Sequence, residues 1–224
     1  SEDGAAHFDY LLVPHSHLHM RNEVMWEFPE VIEARGAIRE RLRAAFPELS
    51  DKQVTAMAAA LKEPDLLPLV PELRTEAHAY IVKAMTDSFL SLMENAAFRK
   101  ICGRLPVSVA HPFSPCGVPH AEKNDYLKLL PDDVLTDCFS RAAPLGVAME
   151  INVSAVREVN PDLSDNQMIR IFTRAKEAGC RFTFGTDSHS VKGLELISFG
   201  GEIAQALGLG RSDLSELVAD AVEL

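Results

Sequence analysis

The chain has 224 residues, with 33 acidic against 22 basic side chains and a formal net charge of −11. This length supports one large domain or two small ones with a proper core. The acidic balance argues against a nucleic-acid backbone as a non-specific partner, because counterion release needs clustered Lys and Arg.

A small anionic substrate is compatible with this charge if the site carries its own cations. Cys102, Cys116, Cys138 and Cys180 show no C-x-x-C spacing and fit reduced thiols in a cytoplasmic protein. No apolar run approaches transmembrane length and no signal-peptide pattern opens the chain, so no membrane partner is expected.

In chain order, Phe8 to Val13 is an apolar run of strand length closed by Pro14, and it fits a strand buried on both faces. His15-Ser16-His17-Leu18-His19 follows at once. Alternating histidines in an extended segment put three imidazoles on one side, and neutral imidazole is a common transition-metal ligand. From about residue 30 to 102 the chain reads as a helical insertion. Glu30 to Ala45 is amphipathic, Ser50 with Gln53 forms a capping-box signature, and Pro64, Pro68 and Pro71 mark a turning connection. Thr75 to Cys102 reads as one long helix with a stripe of Ala79, Val82, Met85, Phe89, Leu92 and Met93, stopped by Gly103. His78 within it reads as an ordinary helix histidine. Trp26 and the methionines read as packing residues.

Leu105 to Ala110 is a second apolar strand, handing over to His111-Pro112-Phe113. The Pro- and Gly-rich stretch from Ser114 to Asn124 reads as a loop, in which His120 suits either a ligand or a lid residue. A helix is expected from Pro131 to Ala143, then a strand from Val147 to Asn152 with Arg157 in the loop beyond it. Ser164 with Gln167 signals another helix, through Met168, Ile169, Phe172 and Ala175 to Gly179. Phe182-Thr183-Phe184-Gly185 is the last strand, and Asp187 and His189 follow it two residues apart. A carboxylate beside an imidazole where a strand becomes a loop suits a divalent metal. The tail, Leu194 to Leu207 and Asp213 to Val222, reads as helical and structural.

Strands alternating with helices at this spacing imply an α/β fold, either a parallel sheet or an α/β barrel. In both, chemistry gathers at the C-terminal ends of the strands. His17, His111, Asp187 and His189 all fall there, and metal-assisted hydrolysis is the chemistry that uses such a set.

Four segments carry a resemblance: Phe8-Asp9-Tyr10 running into Ser16-His17, Val109-Ala110-His111-Pro112, Met149-Glu150-Ile151-Asn152, and Phe184-Gly185-Thr186-Asp187-Ser188-His189. In this order they resemble the later motifs of the PHP (polymerase and histidinol phosphatase) family, over roughly residues 8 to 200. The resemblance implies a distorted (β/α) barrel, with residues 1–224 supplying its later strands. It also implies a site for two or three divalent metals (Zn, Mn or Fe) and a phosphoesterase activity in which hydroxide on the metal attacks a small phosphorylated substrate.

Carried over residue by residue, His111, Asp187 and His189 match metal ligands. His17 matches the ligand after the D-Y strand, with His15 or His19 as alternatives. Arg157, seven residues after Glu150, stands where histidinol phosphatases of the family place a phosphate-binding arginine. The family's opening D-x-H-x-H, its T-D-H motif and a ligand glutamate precede the D-Y strand, so a preceding segment is expected in the intact protein. The alternatives are an amidohydrolase-type metallohydrolase acting on C–N bonds and a catalytically inert binding module. Oligomerisation is left open.

Overall fold

A computed structural model of the chain describes residues 8–14, 39–44, 47, 48, 50, 51, 54, 85–114 and 123–219. The chain divides into two compact units. One comprises Ser1–Ser16, His78–Pro115 and His120–Leu224, and the other His17–Ala77 with Cys116–Pro119. In the second unit residues 39–44 are helical and Leu42 and Val54 are buried. Arg43 there bridges Glu40 at 2.5 Å and Asp51 at 2.9 Å. The Ser50 carbonyl accepts the Val54 N–H at 2.9 Å, a helical i to i+4 closure at the position where the sequence expects a cap. Gln53, Pro64, Pro68 and Pro71 lie outside the described residues.

The first unit is built on a parallel sheet of four strands in the order β1-β2-β3-β4: β1 Leu11–Pro14, β2 Val107–Ala110, β3 Ala148–Asn152 and β4 Arg181–Gly185. The pairings run Leu11 with Val107, Val109 with Met149, and Glu150 with Thr183. The expectation of an α/β architecture with parallel strands is met. The expectation that the first strand is buried on both faces is not. Leu12, on the face that carries Ser108, is 45% exposed, and among the described residues β1 pairs only with β2.

Alternation along the strands gives the sheet two different faces. Val107, Val109, Met149, Ile151 and Phe182 share one face, and all are buried. Phe182 meets Phe172 of the Gln167–Glu177 helix edge to face at 6.2 Å. The other face carries Ser108, Glu150, Asn152 and Thr183, which are polar and nevertheless buried. Its groups satisfy one another, as burial demands. The Ser108 hydroxyl lies 2.9 Å from the Thr183 hydroxyl and donates to the Ala148 carbonyl at 3.2 Å.

The expected helix through Cys102 is broken. Residues 85–94 are helical, Asn95 leaves helical geometry, and a second helix runs Ala96–Cys102. The Asn95 side chain accepts the Phe98 N–H at 3.0 Å, so a cap starts a new helix just beyond the apolar stripe, and Gly103 closes the second piece. Met85, Phe89 and Met93 are buried as expected.

A helix at Lys123–Leu127 begins in the last two residues of the stretch expected as loop. The next helix runs Asp132–Ala142, with Pro131 as its cap residue and Gly146 at φ 67° ending a short 3-10 turn behind it. The C-terminal part is shorter and more segmented than expected: Val191–Leu194, a 3-10 turn Glu195–Phe199, Gly200–Ala206, a 3-10 turn Arg211–Asp213 and Glu216–Ala219. No helix among the described residues is long and apolar enough to cross a membrane. Cys102, Cys138 and Cys180 are free thiols, and burial pushes Cys138 and Cys180 up to about 12.

The Gln167–Glu177 helix is capped by Asn166 rather than by Ser164, which belongs to a 3-10 turn at Leu163–Asp165. Asn166 is buried. Its oxygen accepts the Met168 N–H at 2.9 Å, and its amide donates to the carbonyls of Val156 at 2.6 Å and Asn160 at 2.5 Å. Asn166→Ala is expected to cost about 2–3 kcal/mol, because it orphans three backbone groups, two of them carbonyls inside the fold. Urea unfolding measures this. A loss below about 0.5 kcal/mol, the usual scale for a surface change, would contradict it.

Candidate functional site

Two strand ends and the carboxylate between them define the site. β2 runs straight into His111, whose φ of 32° breaks the extended backbone. His111-Pro112-Phe113-Ser114 forms a tight turn, closed by the Ser114 N–H donating to the His111 carbonyl at 3.1 Å. Proline at the second position and a positive φ (57°) at Phe113 are the features of a type II turn. A phenylalanine at positive φ costs about 1–3 kcal/mol. The ring offsets this, since full burial of such a side chain returns about 1.5–3 kcal/mol. Phe113 also stacks on Phe89 at 5.3 Å and meets Phe139 edge to face at 5.6 Å. The turn is thus pinned from beneath, and it carries a His111 that is only 5% exposed.

β4 ends at Gly185 and delivers Thr186-Asp187-Ser188-His189 at the same C-terminal end of the sheet. Asp187 also has a positive φ, 50°. The backbone just before it is tied down: the Ser154 hydroxyl, from the Val153–Val159 helix, donates to the Thr186 carbonyl at 2.6 Å. Behind it, the Ser188 hydroxyl donates to the Ser190 carbonyl at 2.6 Å and accepts the Ser190 N–H at 3.2 Å. Gly193 lies so close that a Cβ there would fall 2.0 Å from the Ser188 oxygen. Asp187 and His189 are both exposed.

β3 lies between these two ends, and Glu150 is its centre. Glu150 is buried, and its Oε2 accepts the His111 backbone N–H at 2.8 Å. Its Oε1 presses against β4, where a Cβ on Gly185 would fall 2.0 Å away, so residue 185 must be glycine for the carboxylate to fit. Burial raises the Glu150 carboxyl above the usual carboxylate range. The His111 N–H opposes the shift, and the charge of Asp187 adds to it.

Arg157 is not in a loop. Asn152 ends β3 and caps the next helix immediately, its side chain accepting the Ala155 N–H at 2.9 Å, so Arg157 falls in the last turn of Val153–Val159. Its guanidinium carbon lies 3.5 Å from the centre of the Phe199 ring.

The structure therefore brings His111, Asp187 and His189 to one end of the sheet, with β2 and β4 about 9–10 Å apart across β3. His15, His17 and His19, and also His78 and His120, lie outside the described residues. Among the described residues no group of three or more His, Cys, Asp or Glu side chains is arranged to hold a metal ion. The donor types, imidazole with carboxylate at a strand-end rim, suit a divalent transition metal. Glu150 is the residue that the sequence reading left without a role. Its signal was a charged side chain inside the otherwise apolar strand Val147-Ala148-Met149-Glu150-Ile151.

No protein-family model, curated protein or solved structure matches this chain.

Proposed function

We propose that the chain is a metal-dependent hydrolase of phosphate esters, PHP-like in its barrel and site, acting in the cytoplasm on a small phosphorylated substrate. The supporting observation is the arrangement at the C-terminal ends of three adjacent parallel strands: an enclosed imidazole, a buried carboxylate and an exposed aspartate, each on a fixed backbone. On this reading His111, Asp187 and His189 hold divalent ions (Zn, Mn or Fe). Bound there, such ions supply an activated water and charge neutralisation at the phosphoryl oxygens. The chain's own part is to fix the donors on short tethered turns and to present Arg157 near the rim as a cation for a non-bridging oxygen.

The test strips the purified protein of metal, restores Mn or Zn, and screens aryl phosphate monoesters and diesters beside aryl amides. Metal-dependent turnover of a phosphate ester is expected. Turnover confined to amides would favour C–N hydrolysis. Metal binding without turnover of either would favour an inert binding module.

A further inference from the structure

We infer that Glu150 is the positioning residue of this site, a carboxylate strut between β2 and β4 that sets the His111 backbone through its N–H and holds the Asp187 loop at a fixed distance across Gly185. The inference rests on the metallohydrolase reading for its consequence, but the strut itself is geometric. His111 leaves the strand at φ 32°, a backbone setting that needs support, and the 2.8 Å bond to Glu150 supplies it from the neighbouring strand.

The other carboxylate oxygen packs where residue 185 has no side chain, so a shift of β4 towards β3 is blocked and a shift away opens a gap. Among the described residues no Lys or Arg forms an ion pair with Glu150. Stability alone would be served as well by an uncharged acceptor, since an unpaired buried carboxylate is costly. Its position, accepting the His111 N–H on one side and packed on Gly185 on the other, instead suits the support of two loops that carry candidate ligands. Groups that orient metal ligands in this way are typically worth about 10–100-fold in metal affinity.

The experiment titrates Co²⁺ into metal-free wild type, Glu150→Gln, Glu150→Ala and Gly185→Ala, reading Kd from the visible absorption of the bound ion and Tm in parallel. The His111 amide resonance is read in ¹⁵N-histidine-labelled protein without metal. Glu150→Gln, which keeps an acceptor, is expected to bind within about tenfold of wild type. Glu150→Ala and Gly185→Ala should lose about 10–100-fold, beyond what any change in folded fraction explains. The His111 amide is expected downfield in wild type and shifted upfield in Glu150→Gln, because the acceptor loses its charge.

Wild-type affinity in Glu150→Ala overturns the inference, and so does Glu150→Gln binding as weakly as Glu150→Ala. Should Glu150→Ala fail to fold, Gly185→Ala and the amide shift decide: an unmoved His111 resonance in Glu150→Gln overturns the strut. A wild-type protein that binds no Co²⁺ removes the metallohydrolase reading instead, and the amide shift then still tests the strut alone.

Discussion

Asp187→Asn is expected to reduce metal-dependent phosphate-ester turnover by at least about 100-fold, since even groups behind metal ligands are worth 10–100-fold. Folding should be almost untouched. Asp187 is exposed, and its own side chain forms no hydrogen bond or ion pair among the described residues, while the turn around it is held by Ser154, Ser188 and Ser190. An exposed substitution of this kind usually stays within about 0.5 kcal/mol. Asparagine also tolerates the positive φ of 50° that most side chains resist, so the loop path is kept. The informative measurement is therefore kcat beside Tm on the same preparation. Lost turnover with unchanged Tm supports a ligand role. Unchanged turnover would mean that the cage lies elsewhere, and lost turnover with a collapsed Tm would make Asp187 a structural residue.

Phe139→Ala is expected to be the most damaging single core change, costing about 3–5 kcal/mol. Phe139 is fully buried in the Asp132–Ala142 helix and closes a cluster of three rings, 5.8 Å from Phe89 and 5.6 Å from Phe113. Each edge-to-face pair adds about 0.5–1.5 kcal/mol beyond area burial. For a chain of this length the loss corresponds to a Tm lower by about 10 °C. The effect should reach the site, because Phe113 accepts an unfavourable backbone angle only while its ring is packed. Amide exchange at His111, Phe113 and Ser114 should accelerate more than exchange in β3. Uniform acceleration would show that the turn is stable without its ring cluster.

How far the sequence disclosed this arrangement follows from what each element is made of. Strands of a parallel sheet buried on both faces read as largely apolar segments, and β2, β3 and β4 were found on that signal, with His111 directly after β2 and Asp187 two residues after β4. His111, Asp187 and His189 were legible for that reason. The break at Asn95 was not read: the stripe of Met85, Phe89 and Met93 ends there, Phe98 falls on the opposite side of its continuation, and the Asn95 side chain caps a new helix. Arg157 was misplaced for a related reason. Asn152 closes a strand and opens a helix with no intervening loop, so residues that read as connection are helical. Burial of β1 was overestimated because apolar composition does not say whether both faces of a strand are covered, and Leu12 is 45% exposed. Glu150 required the partner strands, since its function as a strut is defined by His111 and Gly185, 39 and 35 positions away in sequence.

On the proposed reading, an anion that engages Arg157 must first draw its guanidinium off the Phe199 ring. A guanidinium resting on an aromatic face is held by about 0.5–1 kcal/mol. A ligand that draws it away must first repay that hold, which makes weak or singly charged anions about two- to fivefold poorer competitors than a bare surface arginine would. A dianion offering two oxygens to the fork recovers the difference easily. On the proposed reading, that aromatic rest would favour a doubly charged group over ambient chloride and carboxylates.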